Sequence, residues 1–143
     1  MKAIVIEDGK GVAEVIRDCI KRCDAEVFIA RDWQEFLELA KIPPPPDLVT
    51  YDVFYPGGND QNARERILEI HTMFPETNVL ILSGMLPDDQ AALIADASRA
   101  DFIAKDKVAK GPEFYRKIAY KFSGKPGYER NVALLEELAE QSS

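Results

Sequence analysis

The chain alternates short apolar runs with stripes of helical spacing five times over, and few folds accept that pattern. Ala3-Ile4-Val5-Ile6 is a continuous apolar run, as a strand buried on both faces requires. Val12, Val15, Ile16, Cys19 and Ile20 follow at the spacing of one helix face. Val27–Ala30 reads as a second strand, and Trp33, Phe36, Leu37 and Ala40 as the buried stripe of a second helix. Leu48–Tyr51 is the third strand, followed by a helix carrying Ala63, Ile67, Ile70 and Phe74. Val79–Leu82 is the fourth, and the Ala-rich stretch over about 87–98 the helix after it, with Pro87 in its first turn. Phe102–Ala104 is a short fifth strand, and Tyr115, Ile118, Ala119 and Phe122 form the last stripe of this series. The alternation predicts an α/β fold: a parallel sheet with right-handed crossovers and helices on both faces.

A length of 143 residues suits one domain and buries a core without disulfides or structural metal. The net charge of −7 argues against a nucleic-acid groove, which needs clustered Lys and Arg. It suits a site built from carboxylates, although acidity also serves solubility alone. Cys19 and Cys23 lie four apart, and His71 has no motif linking it to them, so two reduced thiols beside a buried helix face are expected. The start, MKAIVIED, is too short and too acidic for a signal peptide, and no apolar run approaches membrane-spanning length. A cytoplasmic protein is the expectation.

Pro43-Pro44-Pro45-Pro46 reads as a stiff connector between the second helix and the third strand rather than as a ligand for a proline-binding domain. Ser123-Gly124-Lys125-Pro126-Gly127 is a strong breaker. Beyond it, a helical stripe from about residue 128 carries Val132, Leu135, Leu138 and Ala139. A helix that short is marginal in water, so it should pack on a protein surface, its own or a partner's.

In an open parallel sheet, ligands bind beyond the carboxyl ends of the strands. Strand one ends in Glu7-Asp8, strand three in Asp52, strand four in Ser83 and strand five in Lys105. Converging carboxylates repel one another unless a cation intervenes, and magnesium favours oxygen ligands completed by water and phosphate. A carboxylate in that setting can attack phosphorus and form an aspartyl phosphate. Lys105 would neutralise a phosphate oxygen, and the Ser83 hydroxyl would donate to another. Taken singly, each residue has a plainer reading: solvated loop acids, a Ser83-Gly84 turn and a surface run Lys105-Asp106-Lys107. Their joint placement after the right strands favours chemistry.

The segments Ile-Val-Ile-Glu7-Asp8, Pro46–Gly57 around Asp52, Leu80-Ile81-Leu82-Ser83-Gly84 and Asp101-Phe102-Ile103-Ala104-Lys105 resemble receiver domains of two-component response regulators. The resemblance covers residues 1 to about 122, leaving 123–143 as a C-terminal extension. It implies a flavodoxin-like, doubly wound five-stranded sheet of order 2-1-3-4-5. It also implies that Asp52 is the phosphoacceptor and that Asp8, Asp52, the backbone carbonyl of Phe54 and, largely through water, Glu7 hold Mg²⁺. Ser83 and Lys105 would hold the phosphate, and Phe102 would change rotamer with the state of Ser83.

Two departures accompany the resemblance. The family's lysine is usually followed by proline in a cis peptide, whereas Asp106 follows Lys105, and a non-proline cis bond costs roughly 3 kcal/mol. The chain also runs past the usual last helix with no output domain after it, which reads as a stand-alone receiver. Such a protein takes phosphate from a histidine kinase or His-containing phosphotransfer protein and acts on a downstream protein. The face made by the fourth helix, fifth strand and following helix would carry the signal, and that face or the C-terminal helix would serve a homodimer. It would not bind nucleic acid or membrane directly, and it would promote only its own phosphorylation and dephosphorylation. The alternatives are a degenerate receiver used as a constitutive interaction module and, less favoured because Phe54 replaces the second carboxylate, a small Mg²⁺-dependent aspartyl-phosphate phosphatase. Phe54 and Met85, two residues beyond Asp52 and Ser83, are expected to obstruct hydrolytic water and prolong the phosphorylated state.

Overall fold

A computed structural model describes residues 1–53, 60–83, 100–108 and 111–142. Five parallel strands form one sheet: β1 (Lys2–Ile6), β2 (Glu26–Ala30), β3 (Leu48–Val53), β4 (Asn78–Ser83) and β5 (Asp101–Ala104). Every pairing is parallel, as the alternation predicts, and the order is β2-β1-β3-β4-β5, the doubly wound arrangement that the receiver resemblance implies. β1, Leu48, Val49 and Tyr51 of β3 and Val79–Leu82 of β4 are buried, whereas the edge strand β2 is only partly buried until Ala30. The described helices are α1 (Lys10–Lys21), α2 (Trp33–Ala40), α3 (Asp60–Met73), α4 (Glu113–Phe122) and α5 (Glu129–Gln141). The helix expected over 87–98 lies outside the described residues.

The sheet divides the apolar interior in two. On one side, Ile16, Cys19 and Ile20 of α1 and Phe114, Tyr115, Ile118, Ala119 and Phe122 of α4 pack on Ala3, Val5, Leu80 and Leu82. On the other, Phe36 of α2 and Ala63, Ile67 and Ile70 of α3 pack on Ile4, Val49, Tyr51 and Ile81. Alternation along each strand feeds both faces, which is why the strands read as unbroken apolar runs.

The expected stripe of α1 needs correction. Val12 and Val15 are 43% and 48% exposed, and Ala13, Ile16, Cys19 and Ile20 make the buried face instead. The 3.6-residue period allows either face to be drawn through Ile16, and the face that includes Ala13 is the buried one. Cys23 lies just past the end of α1, and both cysteines are buried free thiols.

Three loops at the amino-terminal edge of the sheet are tied together by polar contacts. Lys2 Nζ donates to the carbonyls of Ile42 and Pro44 at 2.8 and 2.7 Å, fixing the proline connector. Asp47 accepts from the Lys2 amide at 2.8 Å and from the Tyr128 hydroxyl. Thr77 Oγ1 donates to the Pro46 carbonyl.

After α4 the chain turns through Gly124 and Gly127, both at positive φ (78° and 87°), a conformation that glycine adopts without the Cβ clash. α5 then folds back on α4. Its Leu135, Leu138 and Ala139 join the α1 side of the core, Tyr128 stacks near Phe122 with ring centroids 4.9 Å apart, and Arg130 pairs with Asp24. The apolar stripe of this helix therefore meets the chain's own surface. Among the described residues no helix is long and apolar enough to cross a membrane.

Candidate functional site

Strand register builds the site. Ile6 pairs with Tyr51, so the next residues, Glu7 just past β1 and Asp52 near the end of β3, stand side by side. The Glu7 amide extends the ladder toward β2 by donating to the Ala30 carbonyl at 2.9 Å. On the far side of β3, Ser83 pairs with both Val53 and Ala104, which places the start of Lys105 level with the end of β3. Three strands of one parallel sheet thus deliver Glu7, Asp52 and Lys105 to a single edge.

Glu7, Asp8 and Asp52 each offer a carboxylate oxygen, and the three lie within 4.8 Å of one another. Glu7 is buried, Asp52 half-buried and Asp8 exposed. Lys105 Nζ stands between two of them, 2.7 Å from Asp52 Oδ1 and 2.9 Å from Glu7 Oε2, and it donates to Glu7 Oε1 at 3.2 Å. Burial pushes the Glu7 carboxyl above its ordinary value; the Lys105 bond opposes that rise and the neighbouring Asp52 charge adds to it. Burial alone would lower Lys105, but its contacts with Asp52 and Glu7 outweigh that and raise it. The ammonium is therefore firmly protonated.

This arrangement suits a hard cation. Glu7 Oε2 and Asp52 Oδ1 are buried and paired to Lys105, and a carboxylate oxygen with one such contact keeps acceptor capacity for a cation. An all-oxygen, carboxylate-rich donor set is what Mg²⁺ prefers.

Lys105 opens a 3₁₀ turn, Lys105–Lys107. The Lys105 carbonyl accepts from the Val108 amide at 3.2 Å, closing that turn. With Asp106 rather than proline after it, Lys105 still reaches Asp52. Phe102 lies on β5 against the α2–α3 side of the core, with Lys117 Nζ 5.1 Å from its ring centroid and donating to its carbonyl at 2.6 Å. The side chain of Ser83, together with Phe54 and Met85, lies outside the described residues.

A feature that motif reading did not single out lies beside the carboxylates. A cleft of about 540 Å³ runs from Glu7, Asp8 and Asp52 across Tyr51 to Arg31, Trp33 and Arg66. Arg66 Nη1 donates to the Tyr51 hydroxyl at 3.3 Å, and its guanidinium lies 5.5 Å from the Trp33 ring centroid. The only sequence signal for this wall is an aromatic and a basic residue on successive helices, which is a weak one.

No protein-family model matches the chain, and no curated protein matches it in sequence. Solved structures do match in fold. A response regulator from Thermotoga maritima is similar at 20% identity and a TM-score of 0.71, over 86% of this chain and 98% of that one. A two-component response regulator from Clostridium difficile gives 15% identity and a TM-score of 0.71, over 89% and 99%. A response regulator protein from Burkholderia pseudomallei, solved with a phosphorylated aspartic acid, a calcium ion and citrate, gives 18% identity and a TM-score of 0.66, over 99% and 75%. The chain has the fold of a response regulator receiver domain.

Proposed function

We propose that this chain is a receiver that accepts a phosphoryl group on Asp52 and signals by protein contacts. The observation that carries the reading is Lys105 Nζ set 2.7 Å from Asp52 Oδ1, beside a cluster of three carboxylates, at the ligand-binding edge of a receiver-type sheet. A fixed cation next to a nucleophilic carboxylate is what phosphoryl transfer by positioning and charge neutralisation requires.

In the proposed reaction an Asp52 oxygen forms a bond to phosphorus as the bond from phosphorus to the donor's leaving atom breaks. The leaving group departs with the electron pair. Lys105, held protonated by its carboxylate neighbours, exchanges its contact with Asp52 for a phosphate oxygen. Glu7, Asp8 and Asp52, with the Phe54 carbonyl, would hold Mg²⁺, which when bound offsets the charge of the phosphate and the carboxylates. Ser83 would donate to the phosphate, and Phe102 would follow Ser83 in its rotamer.

The donor would be a histidine kinase or a His-containing phosphotransfer protein. The output surface would lie on β5 and α4, where Lys121 pairs with Asp101 at 3.6 Å and Tyr120 is 76% exposed. α5 packs toward α1 and leaves Tyr120 open to a partner. Phosphorylation would bias two packings of that surface rather than create a new one.

Beryllofluoride, which mimics a phosphoryl group on a carboxylate, tests this reading without a kinase. In the presence of Mg²⁺ it should shift the amide resonances of Asp52, Phe102 and Lys105. A spectrum unchanged by beryllofluoride would favour a constitutive interaction module.

A further inference from the structure

The cleft beside Asp52 has a wall of its own chemistry, and it does not belong to the phosphate-holding set. Arg66 stands on α3 and contacts Tyr51 and Trp33, whereas Lys105 reaches Asp52 and Glu7 from the end of β5. Its guanidinium is fixed at two points, the Tyr51 hydroxyl and the Trp33 ring face. Tyr51 is buried and directly precedes Asp52 on β3, so the guanidinium is tied to the strand that carries the nucleophile, and both line one cleft. Among the described residues Arg66 forms no ion pair, although Glu7, Asp8, Asp32 and Asp52 line the same cleft. One guanidinium N–H serves Tyr51, and the planar fork has further donors suited to a carboxylate. Arg31, exposed at the mouth of the cleft, adds a second positive charge.

We propose that Arg66 is a specificity-determining residue that receives the carboxylate leaving group of an acyl phosphate while Asp52 takes the phosphoryl group. This rests on Asp52 being the phosphoacceptor. In the step, an Asp52 oxygen bonds to phosphorus and the bond between phosphorus and the acyl oxygen breaks. The carboxylate leaves with the electron pair and needs no proton, so the charge that develops on it calls for a cation rather than a general acid. Lys105 serves the phosphoryl oxygens, and Arg66 serves the departing oxygen. A guanidinium already held by Tyr51 and Trp33 has little rotamer freedom left to lose when the donor binds. The cleft of about 540 Å³, which Asp52 and Arg66 both line, is large enough for a small acyl phosphate.

A donor whose leaving group is neutral gains nothing from Arg66. Phosphoramidate is such a donor: it releases ammonia. The test compares rates of Asp52 phosphorylation by acetyl phosphate and by phosphoramidate, each with Mg²⁺, in the wild type, Arg66→Gln and Arg66→Lys. The acetyl phosphate rate should fall roughly tenfold relative to the phosphoramidate rate in Arg66→Gln, as loss of one charge-assisted contact implies, with partial recovery in Arg66→Lys. An unchanged ratio of the two rates in both variants would overturn the assignment, whether the rates themselves hold or fall together through damage to the fold. Labelling of the wild type by neither donor would overturn the phosphoacceptor reading itself, and this assignment with it.

Discussion

Lys105 Nζ lies 2.7 Å from Asp52 Oδ1 and 2.9 Å from Glu7 Oε2, so one ammonium group bridges two carboxylates that would otherwise face each other uncompensated. Glu7 is buried and Asp52 nearly so in its side chain, so the lysine supplies the charge that compensates them when no metal is bound.

Replacing it therefore has a conditional effect on stability. Lys105→Met should lower unfolding free energy by roughly 2 kcal/mol in metal-free buffer, by leaving the carboxylates uncompensated near the protein surface. Added Mg²⁺ should restore much of that loss by binding the same oxygens. Urea denaturation with and without Mg²⁺ measures both. A loss of stability indifferent to Mg²⁺ would point to packing rather than charge.

Trp33 lines the same cleft as Asp8 and Asp52, which makes it an internal reporter of cation binding. Its fluorescence should change on Mg²⁺ titration, and Asp8→Ala should move the midpoint at least about tenfold higher, as removal of a direct ligand implies. An unmoved midpoint would remove Asp8 from the ligand set.

The fold was largely legible in the sequence because buried parallel strands announce themselves as unbroken apolar runs. Asp52 could be located in the same way, since the run Leu48–Tyr51 directly before it marks it as a strand-end residue. Contacts between distant segments were not legible. Nothing local to Asp47 or Tyr128 says that one will accept a hydrogen bond from the other across 81 residues. The wall formed by Arg66, Tyr51 and Trp33 is hidden for the same reason, since three separate elements supply it. Val12 and Val15 mark the limit of helical periodicity, because two overlapping apolar faces share Ile16 and only the shape of the sheet selects between them.

The extension after residue 123 is expected to be part of the folded unit. Leu135 is fully buried among residues of the α1–α4 side, so Leu135→Ala should cost about 2–4 kcal/mol. Tyr128→Phe should cost less, about 1 kcal/mol, through loss of the bond to Asp47. Thermal unfolding of both variants distinguishes a packed helix from an appended tail, for which neither would matter.

Burial drives the Cys23 thiol from its ordinary value of 9.0 up to about 12, and burial likewise raises the Tyr115 hydroxyl to about 12. Both groups keep their protons in the folded state at pH values where the unfolded chain loses them. Stability from this source is complete below about pH 9 and declines as pH rises from there toward 12, because the unfolded state then binds fewer protons. Denaturant midpoints measured from pH 8 to 11 should fall, and the slope should flatten in Cys23→Ala. The same burial should leave Cys23 unreactive toward iodoacetamide at pH 8 until the protein is unfolded.

The most direct measurement of whether Asp52 is a phosphoacceptor is the intact mass of the protein after incubation with acetyl phosphate and Mg²⁺. The wild type should gain the mass of one phosphoryl group, chelation of Mg²⁺ should prevent the gain, and Asp52→Asn should show none. Equal labelling of wild type and Asp52→Asn, or no labelling of the wild type by acetyl phosphate or phosphoramidate, would contradict the assignment.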